Sequence, residues 1–200
     1  MTVEKRKYEK KRRAELEEET RRRITETAVE LHGTIGPAHT SISAIAERAG
    51  VRRSTIYRHF PDEMTLFAAC SSHWADANPP PDMAGWQTIA DPDERLCTAL
   101  GELYGFYRRT DRMMENLHRD EVTMPTVRHH FVAFREYQAG ARETLLRGRP
   151  VRGRARDRVR AAIGHALAYP TWRSLTREQG LDDTQAAELM RGLVAAAAGR

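Results

Sequence analysis

The chain has 200 residues, 40% hydrophobic and 30% charged, a balance typical of globular proteins. It has no run of about 20 apolar residues that could span a bilayer, and its charged N-terminus lacks the apolar core of a secretory signal. We therefore expect a cytoplasmic protein without a membrane partner. The net charge of +5 arises in residues 1–60, with 14 Lys and Arg against 9 Asp and Glu, whereas residues 61–200 carry 19 of each. A basic end on a neutral body favours a polyanionic partner, although a solubilising tail gives the same pattern.

The first part of the chain predicts a basic arm followed by a helix. Abundant Ala, Arg, Leu and Glu, without alternating runs bounded by hairpin turns, predict an all-α fold of about nine helices. Residues 1–19 are almost all charged or polar, so they predict a flexible arm that either follows phosphates or is a solvated tail. A packed helix is expected over residues 20–32, where Ile24, Ala28 and Leu31 form one apolar stripe.

Two short amphipathic helices follow, over residues 41–49 and 52–60. A tight turn at Gly50 joins them, and this pattern predicts a helix-turn-helix. The second helix exposes hydrogen-bond donors without a carboxylate among them, which suits the DNA major groove, although a helical hairpin with a polar surface would look similar. These side chains are Arg52, Arg53, Ser54, Thr55, Tyr57, Arg58 and His59.

The remaining chain predicts further helices separated by proline and glycine. One helix is expected over residues 63–77, and prolines 79–81 then mark a domain division or a long loop. Pro170 should kink its helix or mark its last turns. The further helices are expected near residues 92–109, 112–120, 125–146, 154–178 and 183–198.

The segment around the two short helices resembles a known family. Residues 20–67 are similar to the DNA-binding domain of TetR-type regulators, through the pattern Ile24, Ala28, Leu31 and Gly36, then Ile42, Ile45-Ala46, Ala49-Gly50-Val51, Thr55-Ile56-Tyr57, His59-Phe60 and Leu66. The resemblance implies an N-terminal three-helix DNA-binding domain and, over residues 68–200, a helical ligand-binding and dimerisation domain. It further implies a homodimer on a pseudo-palindromic operator in double-stranded DNA, usually a repressor released by a small-molecule effector.

The resemblance also implies roles for single residues. Tyr57, His59 and either Thr40 or Ser41 match positions that contact phosphates. The positions that face bases are matched by Arg53, Ser54, Thr55 and sometimes Ser43. Arginine pairs well with the two major-groove acceptors of guanine, which is the base we would expect opposite Arg53.

Three residues depart from the family pattern. Arg52 replaces a capping serine, whose loss costs about 1 kcal/mol, and it places a cation at the positive end of a helix, which favours a phosphate nearby. Glu63 replaces a phosphate-binding lysine, so that contact is expected to be absent. His32 replaces an aromatic residue and is expected to pack rather than to do chemistry.

The second domain should hold any effector site, for which we expect an apolar or flat ligand. Its last two helices carry apolar stripes that predict dimerisation through a four-helix bundle, or else burial within one chain. The candidate ligand-binding residues, each of which could equally be core, are Trp86, Leu103, Phe106, Tyr107, Met113, Met114, Leu117, Phe131, Phe134 and Trp172. The stripes are Val159, Ala162, Ile163, Ala166 and Leu167, then Ala186, Leu189, Met190, Leu193 and Ala197.

The sequence offers little support for a catalytic, cofactor-binding or metal-binding site. We expect no catalytic site, because the motifs GxSxG, HExxH, GxGxxG and the P-loop are absent from the sequence, and we expect no cofactor. Cys70 and Cys97 lack metal-binding spacing and are expected as reduced thiols. The seven arginines of residues 147–160 predict a solvated, partly salt-bridged surface rather than a second nucleic-acid patch. His118, His129, His130 and His165 are expected to be solvated or hydrogen-bonded, with no metal. The alternative to a regulator is a small-molecule-binding module without operator-specific DNA binding.

Overall fold

The computed structural model describes residues 3–199 and is built from helices, with no β-strand in that range. The predicted all-α fold is therefore confirmed. The described residues contain ten α-helices, a 3-10 turn at Pro37–His39 and a π-helical turn at Ser174–Glu178. The α-helices are α1 (Val3–Thr34), α2 (Ile42–Arg48), α3 (Arg53–His59), α4 (Glu63–Ala77), α5 (Met83–Gln87), α6 (Pro92–Asp120), α7 (Pro125–Leu146), α8 (Gly153–Ala166), α9 (Tyr169–Arg173) and α10 (Asp183–Ala197).

The basic arm is helical in the structure, and its expected flexibility stays a prediction, because residues 6–19 are all exposed. Helix α1 begins at Val3 and continues without a break into the packed part; residues 1 and 2 lie outside the described range. Pairs four residues apart support it, with Lys11 Nζ 3.8 Å from Glu15 Oε1 and Arg13 Nε 3.3 Å from Glu17 Oε1. Each such pair contributes about 0.3–0.5 kcal/mol, and extending an existing helix avoids the cost of nucleation.

Two predicted boundaries in the second half are wrong. Helix α6 is continuous over 29 residues instead of breaking near residue 110, because residues 109–112 contain neither proline nor glycine to interrupt it. The hydroxyl of Thr110 donates to the carbonyl of Phe106 within the same helix. The helix expected over residues 154–178 is instead divided into α8 and α9. Pro170 lies in the first turn of α9, where a missing N–H disrupts no helical hydrogen bond.

The chain forms two compact units. The first contains residues 3–78 and Glu115–His130, and the second contains Pro79–Met114 and residues 131–199. The boundary at residue 79 falls in the proline-rich stretch. The end of α6 and the start of α7 belong to the first unit, a division that differs from the predicted domains of residues 20–67 and 68–200.

An aliphatic core fills the first unit, where α1 packs against α2, α3 and α4. The predicted stripe of Ile24, Ala28 and Leu31 is buried. It meets buried residues of the other three helices, including Ile45, Ala46, Ile56 and Leu66, and also Phe60, which directly follows α3. Burial of such side chains, at roughly 25 cal/mol per Å² of apolar area, is the main term that holds the short α2 and α3 in place.

The second unit has an aromatic core whose polar atoms are bonded within the chain. The hydroxyl of Tyr104 donates to the carbonyl of Ala166 at 2.9 Å, and that of Tyr107 donates to the carbonyl of Leu167 at 2.6 Å. These carbonyls lie at the end of α8, where helices leave acceptors unsatisfied. Trp172 is 1% exposed, and its indole N–H donates to Asp183 at the start of α10. The aromatic residues thus fill the core and also satisfy the helix ends around it.

Candidate nucleic-acid interface

The turn between α2 and α3 fixes the angle of the two helices. Gly50 has φ +65° and follows α2, where a left-handed residue costs glycine least. The amide of Val51 donates to the carbonyl of Ala46 at 2.9 Å, and the amide of Gly50 donates to the carbonyl of Glu47 at 3.1 Å. These two bonds form a Schellman motif, which ends α2 and directs the chain into α3. The predicted helix-turn-helix is therefore present.

Helix α3 presents a polar, cationic face to solvent. Ile56 is fully buried beneath it, while Arg53, Ser54, Tyr57 and Arg58 are exposed. Their side chains make no hydrogen bond or ion pair in the described part of the chain. The helix has no carboxylate of its own, so its donors are available to another molecule.

The caps of the two helices differ. Ser41 caps α2, accepting a hydrogen bond from the amide of Ala44 at 3.1 Å. Arg52 occupies the N-cap position of α3 without a side-chain cap bond. Its cation therefore lies exposed at the positive end of a helix, an arrangement that an anion would relieve.

The other predicted contact residues are less uniformly accessible. Ser43 is exposed, whereas Thr40 is half-buried and its hydroxyl donates to the carbonyl of Gly36 at 2.8 Å. Thr55 and His59 are half-buried. The Nε2 atom of His59 is buried without a hydrogen-bond partner in the described residues.

The environment of His59 disfavours a positive charge. Burial, followed by the nearby cations Arg58 and Arg21, lowers the pKa of His59, against an opposing effect of Glu17 and Glu18. At neutral pH the free protein therefore presents a neutral imidazole here.

Arg21 is a residue of this region that the sequence reasoning missed. Its Nη1 donates to the carbonyl of His59 at 2.6 Å, and its Cζ lies 4.2 Å from the ring centroid of Phe60. It thereby joins α1 to the C-terminal end of α3, where carbonyls lack helical partners. Its position three residues before Ile24 and seven before Ala28, on the apolar stripe of α1, was the available signal.

The loop between α1 and α2 is held by the end of α6, another feature that the sequence did not reveal. Asn116 donates to the carbonyls of His32 and Gly33 at 2.9 and 3.1 Å. Arg119 donates to the carbonyl of Ile35 at 3.0 Å. These bonds join segments more than 80 residues apart in sequence, so no local pattern announces them.

Asp120, at the same end of α6, also bonds to the loop between α1 and α2. Its Oδ2 accepts from the amide of Ala38 at 2.9 Å. Burial opposes its ionisation, but the bonds from Arg119 and Ala38 leave the pKa of Asp120 below its ordinary value. Gly36, with φ +91°, passes so close that a Cβ there would lie 2.0 Å from Arg119 Nη2 and 2.6 Å from Asp120 Oδ2. Only glycine fits this approach.

His32 is buried in the same unit and packs against Phe67, with ring centroids 5.3 Å apart. Burial lowers the pKa of His32 to about 4, although the charge of Asp120 opposes the shift. The side chain is therefore neutral at physiological pH. It borders a small cavity of about 80 Å³, which Glu63 and Met124 also line.

The segment that carries this interface matches a family model. The model describes bacterial regulatory proteins of the tetR family and covers residues 24–70. Those residues are therefore similar to the N-terminal segment of tetR-family regulators. The resemblance inferred from the sequence is thus confirmed. The HTH-type transcriptional regulator AcrR of Shigella flexneri is 43% identical over 51 residues, a match that spans 26% of this chain and 24% of the relative's length.

Solved structures of TetR-like regulators share the fold over most of the chain. One from Rhodococcus has a TM-score of 0.63 at 18% identity, covering 90% of this chain and 97% of that one. One from Streptomyces coelicolor has a TM-score of 0.59 at 22% identity, covering 91% and 80%. The multidrug binding protein EbrR, complexed with imidazole, has a TM-score of 0.51 at 22% identity, covering 86% and 93%. The TetR-type domain is therefore followed by a helical region whose fold TetR-like regulators share.

The predicted ligand-binding residues mostly lie in the core. Phe134 and Leu117 are half-buried, and Leu117 belongs to the first unit. The ring of Tyr107 lies 5.5–6.5 Å from the rings of Phe134, Tyr169 and Trp172. The buried candidates are Trp86, Leu103, Phe106, Tyr107, Met113, Met114, Phe131 and Trp172.

The packing of α8 against α10 buries most residues of the predicted dimerisation stripes and leaves two leucines exposed. The stripe on α8, comprising Val159, Ala162, Ile163, Ala166 and Leu167, is buried within the chain, as are Ala186 and Met190 on α10. Leu189 and Leu193 are 50% and 42% exposed. The α8 stripe therefore lies in the core of its own chain. The large outward apolar residues of α10 are these two leucines, and Ala197 is half-buried.

The remaining expectations concern the arginine-rich stretch, the histidines and the cysteines. Arg149 is buried rather than solvated, with Nη1 2.7 Å from Asp93 Oδ1, while Arg152, Arg154 and Arg156 are exposed. Within residues 3–199, His, Cys, Asp and Glu form no group of three or more suited to a metal ion. Cys70 is buried and Cys97 exposed, and both are free thiols. None of the described helices combines the length and apolarity needed to cross a membrane.

Proposed function

We propose that this protein is a sequence-specific DNA-binding transcriptional regulator, and that α3 enters the major groove of its operator. The observation that carries the proposal is the outward face of α3, where Arg53, Ser54, Tyr57 and Arg58 are exposed and unpaired. Chemical groups of this kind read base edges and phosphates. A transcriptional regulator acts at the chromosome, so we place it in the cytoplasm and assign it no catalytic role.

Within this interface the residues divide by their position on α3. Arg53, in the first turn, can pair with guanine through its two donors, and Ser54 and Thr55 lie beside it. Tyr57 and Arg58 point outward in the second turn and suit phosphates. Arg52 and Ser41, at the starts of α3 and α2, are further phosphate ligands in this arrangement. Thr40 joins them on exchanging the bond from its hydroxyl to the carbonyl of Gly36 for a bond to phosphate. His59 and Ser43 complete the proposed set.

The test is selection of bound duplexes from a random DNA pool at about 100 mM salt. We expect an enriched inverted repeat, and we expect Arg53→Ala with Tyr57→Ala to abolish enrichment. Arg152→Ala with Arg154→Ala, which removes exposed arginines from the second unit, is the control and should retain it. Failure of the wild-type protein to enrich any sequence, before and after refolding to remove bound ligand, would favour a small-molecule-binding module instead.

The inverted repeat requires a homodimer, which we propose forms through the last two helices. Leu189 and Leu193 support this, since they lie one turn apart on α10 and remain exposed after α8 has packed against it. Leu189→Glu with Leu193→Glu should convert the dimer to a monomer in sedimentation experiments. Val122→Glu, at an exposed valine of the first unit, is the control. A dimer that survives the leucine substitutions would show that another surface holds it.

We further propose that the protein represses transcription and is released from DNA by a small-molecule effector bound in the second unit. The aromatic core there favours an apolar or flat ligand. The structural neighbour EbrR is described as a multidrug binding protein. A panel of flat aromatic compounds should include some that raise the melting temperature and lower operator affinity. Compounds that raise the melting temperature without changing operator affinity would contradict the release mechanism.

A further inference from the structure

The N-terminal part of α1 is a helix without a core. Residues 6–19 are all exposed, and the burial of side chains begins with Thr20 and Arg21. At 1.5 Å per residue, the segment from Arg21 back to Arg6 extends for about 22 Å. Its two large apolar side chains, Tyr8 and Leu16, are 67% and 54% exposed, so the segment has no buried face of its own and its sequence serves solvent or another molecule.

This extension begins beside α3. Arg21 bonds the carbonyl of His59 and covers the ring of Phe60. Glu17 and Glu18, one turn earlier, are close enough to His59 to act on its pKa. The extension therefore projects from the C-terminal end of the helix that we propose reads DNA.

The far end of the extension is strongly basic. Residues 6–13, which we call the basic tip, contain Arg6, Lys7, Lys10, Lys11, Arg12 and Arg13 against Glu9 alone. Lys11 and Arg13 pair with Glu15 and Glu17. The other four cations make no ion pair or hydrogen bond in the described part of the chain.

Helical geometry places part of the basic tip on the side that faces α3. Lys10 lies 11 residues before Arg21, close to three turns, and Lys7 lies 14 residues before it, close to four. Both therefore share the face of α1 on which Arg21 contacts α3. The acidic residues of the segment 15–19 separate this tip from the packed part and would repel phosphates, which confines any contact to the tip.

We propose that the basic tip binds DNA phosphates outside the base pairs that α3 reads. The proposal rests on the proposed function, because it adds a second contact to the same complex. Charge complementarity and continuity with the α3 interface select DNA as the partner. Each phosphate neutralised changes the slope of log affinity against log salt by about 0.9.

The experiment compares two duplexes that contain the selected operator, one trimmed to the enriched sequence and one with about ten added base pairs on each side. The tip variant is Arg6→Gln, Lys7→Gln and Lys10→Gln. The charge-matched control is Arg152→Gln, Arg154→Gln and Arg156→Gln, at exposed arginines of the second unit. The full-length proteins are used, and circular dichroism verifies that each remains helical.

We expect the wild-type protein and the control to bind the long duplex at least tenfold more tightly than the short one at 100 mM salt. The tip variant should lose this advantage, and its salt slope on the long duplex should fall by about 2 to 3 for each tip engaged. Its affinity for the short duplex should be unchanged.

Equal binding of the two duplexes by the wild-type protein, or a tip variant that behaves like the control, would overturn the proposal while leaving operator recognition intact. If no operator is found, the same salt titration on a long random-sequence duplex still tests the tip, since phosphate contacts are independent of sequence. An unchanged slope in the tip variant would overturn the proposal there too.

Discussion

The polar side chains of α3 and those of the aromatic core are used in opposite ways. On α3, the side chains of Arg53, Tyr57 and Arg58 are exposed and make no hydrogen bond or ion pair in the described part of the chain. In the second unit, the polar atoms of Tyr104 and Trp172 are buried and hydrogen-bonded within the unit. The first arrangement leaves hydrogen-bonding capacity for another molecule, and the second uses it to hold helix ends together. Substitutions on α3 should therefore change binding without changing stability, and substitutions in the aromatic core should do the reverse.

The largest effect on stability is expected from Trp172→Ala. Removing a fully buried indole leaves a cavity and removes the donor to Asp183 Oδ1, at a cost of about 3–5 kcal/mol in the free energy of unfolding. Tyr57→Ala, at an aromatic residue that is 42% exposed, should change that free energy by less than about 0.5 kcal/mol. Denaturant titrations monitored by circular dichroism measure both. Similar losses of unfolding free energy in the two variants would contradict this difference between α3 and the aromatic core.

His32 provides a prediction about pH in the first unit. Burial holds the pKa of His32 at about 4 in the folded protein, below its ordinary value of 6.5, so the unfolded chain binds this proton more readily. The contribution of neutral His32 to stability is complete above pH 6.5 and is lost as the pH falls towards 4. This loss is on the order of 3 kcal/mol.

His32→Phe should remove that part of the pH dependence and keep the contact with Phe67. Urea titrations at pH 7 and pH 4.5 measure the difference in unfolding free energy for the wild-type protein and the variant. His129→Phe, at an exposed position, is the matched control and should retain the wild-type difference. If His32→Phe loses as much unfolding free energy between pH 7 and pH 4.5 as the wild-type protein, groups other than His32 cause the pH dependence.

Smaller effects are expected at the two N-caps. Ser41→Ala removes the bond to the amide of Ala44 and should cost about 1 kcal/mol. Arg52→Ser introduces a cap at α3 and removes a cation from its positive end, so it should add about 0.5–1 kcal/mol while weakening DNA binding. Thermal denaturation and binding to the selected operator provide the two measurements. An Arg52→Ser protein that binds operator as tightly as the wild type would exclude a phosphate contact for Arg52.

The helix-turn-helix could be predicted because its determinants are local. The spacing of Ile42, Ile45, Ala46 and Ile56 and the glycine at position 50 define two helices and their turn within about 20 residues. The hydrogen bonds from Asn116, Arg119 and Asp120 to the loop around Gly36 could not be predicted, because they join segments more than 80 residues apart, which no local sequence pattern connects.

Other errors arose where a local pattern was compatible with two structures. An apolar stripe on α8 does not reveal whether it meets its own chain or another, and the packing of α8 against α10 decides this. The charged residues before position 20 form no apolar stripe that would indicate a helix, yet pairs such as Lys11 with Glu15 support the extension of α1 through them. Pro170 was compatible with a kink, a last turn or a first turn of a helix, and the structure places it in the first turn of α9.

The most direct test of the central claim, that α3 reads bases, is to repeat the random-pool selection with Arg53→Ala alone. Because one side chain contacts one or two bases, we predict that the variant still enriches the inverted repeat but loses its preference at one symmetric pair of positions. Enrichment of the wild-type operator with every base preference unchanged would contradict the assignment of base recognition to Arg53 and to the exposed face of α3.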